Sequence, residues 1–503
     1  MILEWLLASA MASASVPGAP VDLPSGVTPP VQVAPAKPIE ELWSQLGSAI
    51  DAGDNATALA VTKLIAGHPD LGREPIERRD AVISLLGLLY EAEGQHASAL
   101  PHLIEASERP GAPADLWFAR INAHAATDDL TAAARATARL LDHEPETAEE
   151  LSGPFVLQLE SSPDLEPEAA YALRTALHQA GWRDRNDSGV WIRLVDDLLK
   201  RDRLADAAPL VDRVTSSGRL LQLHAMRRYD AVRAAAAMPE LDIAAVLDAE
   251  LEDQRIKATA PGAPYDDRSA YASTLQNRGR FEEALAFTEA TLALPAPEAG
   301  SEDDRALTWV MDSRARLLMD LGRMDEAIVQ MQAAAKRDEG AGVNVSQTIN
   351  LGWFYLRVGD NAQAIATVKT LDPETASGYG LMQAMHVRAC AAEAMGDRTA
   401  AAAAAFTYME ENWRDAPLTW VEAQACRGDA DGAADTLLLI LADETLVESG
   451  VEALHTYLIE QRATDYDRRI NDVLAVAYAR PDVVAARDRV ARAFTVPTIG
   501  SQF

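Results

Sequence analysis

The amino-acid sequence predicts an all-α protein, an α-solenoid of stacked antiparallel helix pairs that is closed by capping helices. Two observations predict this fold. From Ile39 onward, apolar residues recur at i, i+3, i+4 and i+7, as in Leu42, Leu46 and Ala49, which is typical of helices with one buried face. A short motif of one turn residue and one alanine also returns along most of the chain, as expected of a repeat protein whose units contact only their neighbours.

The repeated motif is a Gly or Asp followed five residues later by Ala. The turn residue ends one helix in a tight or left-handed conformation, and the alanine lies on the next helix where the two helices cross closely. Successive turns are 32–43 residues apart, except for two gaps of 74 and 77 residues that each have room for a degenerate unit. The nine pairs are Gly53–Ala58, Gly94–Ala99, Asp128–Ala133, Asp202–Ala207, Gly279–Ala284, Gly322–Ala327, Gly359–Ala364, Gly396–Ala401 and Gly428–Ala433.

Further markers accompany the motif. Leu86-Gly87 with Tyr90, and Leu351-Gly352 with Tyr355, precede a turn. Tryptophans near helix starts and prolines after the second helices complete the pattern W-x2-L-G-x2-Y, Gly, Ala, Pro. From Ile39 to about Leu441 the chain therefore resembles the tetratricopeptide repeat (TPR) family. It departs from the family where an aromatic residue is expected four residues after the alanine, since those positions hold residues such as Thr62 and Leu103.

The amino end has a different composition from the repeats. Residues 1–14 join an apolar stretch to Ala12-Ser13-Ala14, which fits a signal peptide and its cleavage site, although Glu4 replaces the usual basic residue. Residues 15–38 are rich in proline and form a predicted extended linker. We expect export from the cytoplasm, with a buried first helix in a cytoplasmic protein as the alternative.

Turn-rich stretches predict the domain organisation. The segment 258–264 (ATAPGAP) divides predicted N-terminal repeats at 39–258 from C-terminal repeats at 265–441. Residues 442–503 are predicted to form capping helices, at about 452–461, 468–478 and 483–493, because the last repeat of a solenoid otherwise exposes its apolar face.

The resemblance implies that the first helices of the repeats line a concave groove that binds a peptide or helix. One such helix carries Trp309, Asp312 and Arg316 at helical spacing, and the next carries Asn350, Trp353 and Arg357. Tryptophan and arginine dominate interaction hot spots, so these six residues are the candidate partner-binding site. The alternative is that the two tryptophans pack between helices.

The family's clamp for acidic chaperone C-termini requires lysines and asparagines at set groove positions. Those positions hold Asp266, Ser269 and Ser273 here, or Trp309 and Asp312 on the following helix. This specialised function is therefore not expected.

Charge and hydropathy restrict the class of partner. The chain of 503 residues has 45 Lys and Arg against 77 Asp and Glu, a formal charge of −32. This balance argues against nucleic acid, whose phosphates must be neutralised by basic residues. After the amino end no run of 18 apolar residues occurs, so no integral membrane segment is predicted. A partner that is basic, or that contacts apolar pockets, fits best.

The two cysteines leave three interpretations open. His386 and Cys390 are four residues apart, hence on one helix face, and Cys426 lies on the next repeat. Zinc needs about four such ligands, and only three are evident. A Cys390–Cys426 disulfide is possible if the protein is exported, and otherwise both thiols act as small apolar side chains.

Catalytic signatures are missing from the sequence: no H-E-x-x-H, G-x-S-x-G, P-loop or dinucleotide-binding glycine motif occurs. We therefore expect a non-enzymatic scaffold without metal or cofactor, which binds a protein or peptide segment in the bacterial cell envelope. The alternatives are a cytoplasmic adaptor, regulatory or assembly factor, and, more remotely, an enzyme subunit with an unrecognised site.

Overall fold

The computed structural model describes residues 37–162, 164–184, 187–337, 344–397, 399–459 and 462–500. The predicted signal peptide (1–14) and the predicted linker up to residue 36 lie outside the described residues. The chain forms two compact units, which meet in the sequence between Val214 and Thr215. The predicted boundary at 258–264 lies inside the second unit, where it connects two helices.

The first unit is made of helices in antiparallel succession. They are α1 (Ile39–Asp51), α2 (Asn55–Ala66), α3 (Ile76–Ala92), α4 (His96–Ser107), α5 (Ala114–Ala126), α6 (Leu130–His143), α7 (Gly153–Ser161), α8 (Pro167–Gln179), α9 (Ser188–Lys200) and α10 (Leu204–Ala207). Short 3₁₀ helices lie at Leu71–Arg73, Pro145–Glu150 and Ala208–Arg213.

The second unit continues the helix pairs and adds two strands. Its elements are α11 (Ser217–Ala225), α12 (Asp230–Ala235), α13 (Ile243–Thr259), α14 (Tyr265–Asn277), α15 (Phe281–Leu292), α16 (Glu302–Asp320), α17 (Met324–Ala334), α18 (Val345–Arg357), α19 (Asn361–Val368), α20 (Gly378–Ala394), α21 (Ala400–Glu411), α22 (Pro417–Cys426), α23 (Ala430–Ala442), α24 (Val447–Ala453), β1 (Thr456–Ile459), α25 (Asp465–Tyr478), α26 (Pro481–Val490) and β2 (Thr495–Ile499). Two 3₁₀ helices lie at Arg227–Tyr229 and Trp413–Asp415.

The repeat motif has the predicted geometry. All nine turn residues have positive φ, between 56° and 81°. Eight of the nine alanines have no exposed surface; they are Ala58, Ala99, Ala133, Ala207, Ala284, Ala327, Ala364 and Ala433. The left-handed turn and the small residue at the crossing therefore define each pair, and the predicted all-α repeat fold is confirmed.

Ala401 is the exception, and its predicted place at a helix crossing is wrong. It is exposed, and Ala405 is buried instead. The reason is a longer turn: α21 is capped by Thr399, three residues after Gly396, whereas Asp429 caps α23 directly after Gly428. The extra residues shift the register of the second helix.

Close packing within a pair explains the Leu-Gly element. A Cβ on Gly87 would lie 2.7 Å from Leu103 Cδ2, and one on Gly352 would lie 2.7 Å from Val368 Cγ1. Both contacting residues, Leu103 and Val368, lie four residues after the alanine of the motif, where the sequence pattern of the TPR family has an aromatic residue. In other repeats that position holds a fully buried threonine whose hydroxyl donates to the preceding turn, as from Thr62 Oγ1 to the Ala58 carbonyl at 2.7 Å. Side chains smaller than an aromatic ring at this position let the two helices approach closely.

The carboxyl-terminal segment differs from the predicted set of capping helices. α25 and α26 match two of them, but the helix predicted at 452–461 is wrong, since β1 lies there and pairs in parallel with β2. β-Branched and aromatic residues in Thr456–Ile459 favour a strand once a second strand is available. The segment also reaches distant helices: both Arg492 Nη atoms donate to the Asp230 carboxylate at 2.7 and 2.8 Å. The second unit thus departs from an array in which only neighbours touch.

Candidate partner-binding groove

The groove is formed by the first helices of consecutive pairs in the second unit. Its open part lies between α14 and α16, encloses about 420 Å³, and is lined by Asp266, Ser269, Ser273, Trp309, Asp312 and Arg316, among others. Its deep part is a cavity of about 280 Å³ whose lining includes Arg316, Asp320, Asn350, Trp353, Arg357 and Glu422. All six sequence-predicted site residues line one part or the other.

Capping residues determine where α16 and α18 begin. α16 begins after Ser301, whose hydroxyl accepts from the Asp304 backbone N–H at 3.1 Å, and its first turn is acidic, as the helix dipole favours. α18 begins after Asn344, whose side chain accepts from the Gln347 backbone N–H at 3.0 Å. These caps set the helix starts and thereby the residues that face the groove.

Asp312 organises the groove from below its surface. Its carboxylate is buried; Oδ1 accepts from Arg316 Nε at 2.5 Å and Oδ2 accepts from Asn350 Nδ2 at 2.6 Å. The charge of Asp312 raises the pKa of the Arg316 guanidinium. Asp312 therefore positions two other predicted residues across α16 and α18, and it does not itself present a surface to a partner.

The two tryptophans differ in exposure. The Trp309 side chain is 45% exposed on the wall of the open part, so it is not packed between helices. Trp353 is half-buried and makes edge-to-face contacts with His386 at 4.5 Å and with Tyr466 at 6.3 Å between ring centroids. The packing alternative considered for both residues thus describes Trp353 better than Trp309.

Arg357 already has an intrachain partner. Its Nη2 and Nε donate to Asp467 Oδ2 of α25 at 2.8 and 3.2 Å, and both side chains are about nine-tenths buried. Asp467 also caps α25 by accepting from the Thr464 backbone N–H at 2.7 Å. Arg357 consequently fixes the carboxyl-terminal segment against the deep part of the groove.

Ionisable groups in and beside the deep part have shifted pKa values because they are desolvated. Burial raises the pKa of Asp320 to about 6, although Gln276 donates to it at 2.6 Å. Burial also raises the pKa of Glu422 to about 8 and lowers the pKa of His386 to about 3. At neutral pH the Glu422 carboxyl is mostly protonated and His386 is uncharged.

The cysteines adopt one of the three arrangements that the sequence left open. Cys390 of α20 and Cys426 of α22 form a disulfide, with 5.7 Å between their Cα atoms. One helical turn earlier, His386 Nδ1 and Glu422 Oε2 are 3.7 Å apart. Neither of these two buried atoms has a hydrogen-bond partner among the described residues.

Sequence reasoning missed Glu422, Tyr466 and Asp467. For Glu422 the available signal was its spacing of four residues from Cys426, which places both on one helix face. Tyr466 and Asp467 carried no such signal, because their contacts with α18 and α20 connect residues 110 and 80 positions apart in the sequence.

No model of a protein family matches the chain, and no curated protein does. Among solved structures it is similar to the APC/C hetero-tetramer Cut9-Hcn1 (13% identity, 90% of this chain, 96% of that chain, TM-score 0.27). It is also similar to Naa15/Naa10 bound to HypK-THB (13% identity, 89% and 70%, TM-score 0.23) and to the TPR domain of P58(IPK) (14% identity, 89% and 98%, TM-score 0.17).

The left-handed turns, the buried alanines and the close Leu-Gly contacts define a helical-repeat protein with a TPR-like architecture, as the repeat pattern predicts. Within the residues that the structure describes, no helix combines the length and the apolar character needed to cross a membrane.

Proposed function

We propose that the chain is a non-enzymatic scaffold that binds a protein or peptide segment along the groove between α14, α16 and α18. The observation that carries the proposal is the exposed Trp309 beside the hydrogen-bonded side chains of Arg316 and Asn350. An aromatic side chain that is 45% exposed gains apolar contact when a partner covers it. Arg316 and Asn350 are held ready by Asp312, so a partner finds their donors already oriented.

The partner's chemistry follows from the charge of the whole chain. A formal charge of −32 attracts basic segments and repels acidic ones. The open part of the groove is lined by Asp266 in addition to the Asp312–Arg316 ion pair, so the acidic groups outnumber the basic ones among its lining residues. A segment with a basic residue flanking an apolar one is the expected ligand class.

The proposed location is the bacterial cell envelope, after export. The Cys390–Cys426 disulfide supports it, because structural disulfides persist mainly in oxidising compartments. The apolar stretch and Ala12-Ser13-Ala14 of the amino end support it as well. Glu4 favours the second candidate, a cytoplasmic adaptor or assembly factor. Amino-terminal sequencing of the protein from its native host separates them: a mature end near Ser15 supports export, and an intact Met1 contradicts it.

Capture of the partner from the native host tests the groove. The full-length chain is compared with Trp309→Ala and with Val329→Ala. Arg316 is left in place, because its removal would leave the buried Asp312 carboxylate without its ion-pair partner. Val329 is a matched control because it is 65% exposed on α17, a second helix outside the groove lining. Partners captured by the wild type should be retained by the control and lost from Trp309→Ala, with Tm unchanged in both. Retention by Trp309→Ala, or a lower Tm that marks Trp309 as structural, contradicts the assignment.

A further inference from the structure

Two neighbouring helices present matching pairs of side chains one turn apart. α20 carries His386 and Cys390, and α22 carries Glu422 and Cys426, each pair separated by four residues and therefore on one helix face. The structure brings the two faces together: the cysteines are bonded, and His386 Nδ1 lies 3.7 Å from Glu422 Oε2. Four side chains with metal-ligating chemistry thus occupy one buried place.

Three of the four groups lie close enough together to share one metal ion, and Glu422 lies beside one of them, His386. The ligand atoms of His386, Cys390 and Cys426 all lie within 4.8 Å of one another. Zinc ligands lie about 2.0–2.3 Å from the ion, so neighbouring ligand atoms are roughly 3.3–3.8 Å apart. The nitrogen–oxygen distance of 3.7 Å already falls in that range, and the two sulfurs are free to separate once the bond between them is absent.

Two polar atoms of the cluster are unpaired. Within the part of the chain that the structure describes, His386 Nδ1 and Glu422 Oε2 are buried and make no hydrogen bond, and buried polar atoms are rarely left unpaired. The other ring nitrogen, Nε2, faces the Tyr466 hydroxyl at 3.4 Å. Such a contact orients an imidazole so that Nδ1 can ligate. Glu422 also lines the 280 Å³ cavity, which gives an ion a route from the groove.

We propose that in the dithiol form of the protein His386, Cys390, Glu422 and Cys426 bind one zinc ion through an imidazole nitrogen, two thiolates and a carboxylate. Each newly synthesised chain passes through the dithiol form before the disulfide exists. Binding converts the two thiols to thiolates and the Glu422 carboxyl to a carboxylate, and it releases the protons that these three groups carry. The disulfide and the zinc site use the same sulfurs, so they are mutually exclusive states of one cluster.

The test uses the full-length protein reduced with tris(2-carboxyethyl)phosphine. The phosphine and one water convert the disulfide to two thiols and become the phosphine oxide. After removal of the reductant without air, Co²⁺ is titrated as a spectroscopic substitute and is then displaced by Zn²⁺. We expect one equivalent of Co²⁺, with thiolate charge-transfer absorption and the visible bands of a tetrahedral site. The untreated disulfide form, titrated in parallel, should show neither.

Variants assign the ligands. Glu422→Gln should weaken Zn²⁺ binding about tenfold or more, and His386→Asn should abolish the tetrahedral spectrum. Glu410→Gln, an exposed carboxylate on α21, is the matched control and should bind as the wild type does. Circular dichroism of each variant in its disulfide form establishes that the fold is intact.

A second readout does not depend on spectra. Bound Zn²⁺ should slow the oxidation of the two thiols by oxidised glutathione in the wild type and not in His386→Asn. If the reduced wild type binds no Co²⁺, or if both variants bind it with unchanged affinity, the proposal is overturned. The His386–Glu422 pair is then a buried polar contact beside a structural disulfide.

Discussion

Replacing Gly87 by alanine should destabilise the first unit. Gly87 lies in the middle of α3, and an added Cβ would lie 2.7 and 2.8 Å from Leu103 Cδ2 and Cγ and 3.2 Å from the Leu103 backbone nitrogen. Leu103 has no exposed surface, so it cannot relieve the contact by turning into solvent. The two helices must separate slightly, which typically costs about 1–3 kcal/mol.

A matched control in the same unit separates the free-energy cost of overpacking from the intrinsic helix preference of alanine. Alanine in a helix interior is favoured over glycine by about 1 kcal/mol, and this gain applies to any such substitution. Gly47 lies in α1, and a Cβ there would meet no atom of the described residues within 4 Å. Gly47→Ala should therefore raise the free energy of unfolding by up to about 1 kcal/mol. Because the helix gain cancels between the variants, their difference measures the overpacking alone, about 1–3 kcal/mol.

Hydrogen exchange measured by mass spectrometry is the suitable assay, because a chain with two units need not unfold in a single step. Peptides covering 39–66 and 76–107 report the opening free energies of the two helix pairs concerned. Urea unfolding, monitored by circular dichroism, independently ranks the wild type and the two variants by stability. If Gly87→Ala is as stable as Gly47→Ala, the close approach at the Leu-Gly element does not limit the packing, and the reasoning is refuted.

Three other perturbations have defined outcomes. Ala327→Leu should lower the free energy of unfolding by about 1–3 kcal/mol, because Ala327 is fully buried; a neutral effect in hydrogen exchange would place the crossing elsewhere. Glu422 has its pKa raised to about 8 in the folded protein, against about 4.3 when unfolded, so the unfolded chain binds fewer protons and stability falls as pH rises between these values. The histidines whose pKa values are lowered affect the free energy of unfolding only below about pH 6.5. Between pH 6.5 and 8, Glu422→Gln should therefore flatten the decline in stability measured by urea unfolding. An unchanged slope would contradict the burial of this carboxyl. Finally, Cys390→Ser/Cys426→Ser removes a cross-link between residues 36 apart and should cost about 3–4 kcal/mol, whereas equal stability of the variant and the disulfide form would show that the cross-link does not constrain the unfolded chain.

The repeat register was predictable because its physics is local. A left-handed turn requires glycine or a short acidic residue, and the crossing requires a small residue a fixed distance later. Ala133 and Ala284 therefore follow directly from Asp128 and Gly279. The prediction for Ala401 was wrong for an equally local reason, because the turn after Gly396 is longer. In an alanine-rich helix no single alanine marks which residue faces the neighbouring helix.

The candidate site was only partly predictable. Helical spacing correctly placed Asp312, Arg316 and Asn350 in one groove, because side chains at i and i+4 share a helix face. It did not distinguish a residue that faces a partner from one that supports the wall. Asp312 proved to be buried beneath Arg316 and Asn350, and Arg357 proved to be paired with Asp467.

The sequence by itself determined the helix pairs, their turns and the small residues at their crossings, since each depends on the conformational preferences of residues within about one repeat. Only the tertiary structure decided that Asp467 reaches Arg357, that Arg492 reaches Asp230, and that Glu422 faces His386. Those contacts join residues between 36 and 262 positions apart. A buried charged pair such as Arg357–Asp467 is tolerated because each group is paired. Which distant residues meet depends on how the helices pack, and no short stretch of sequence encodes that packing.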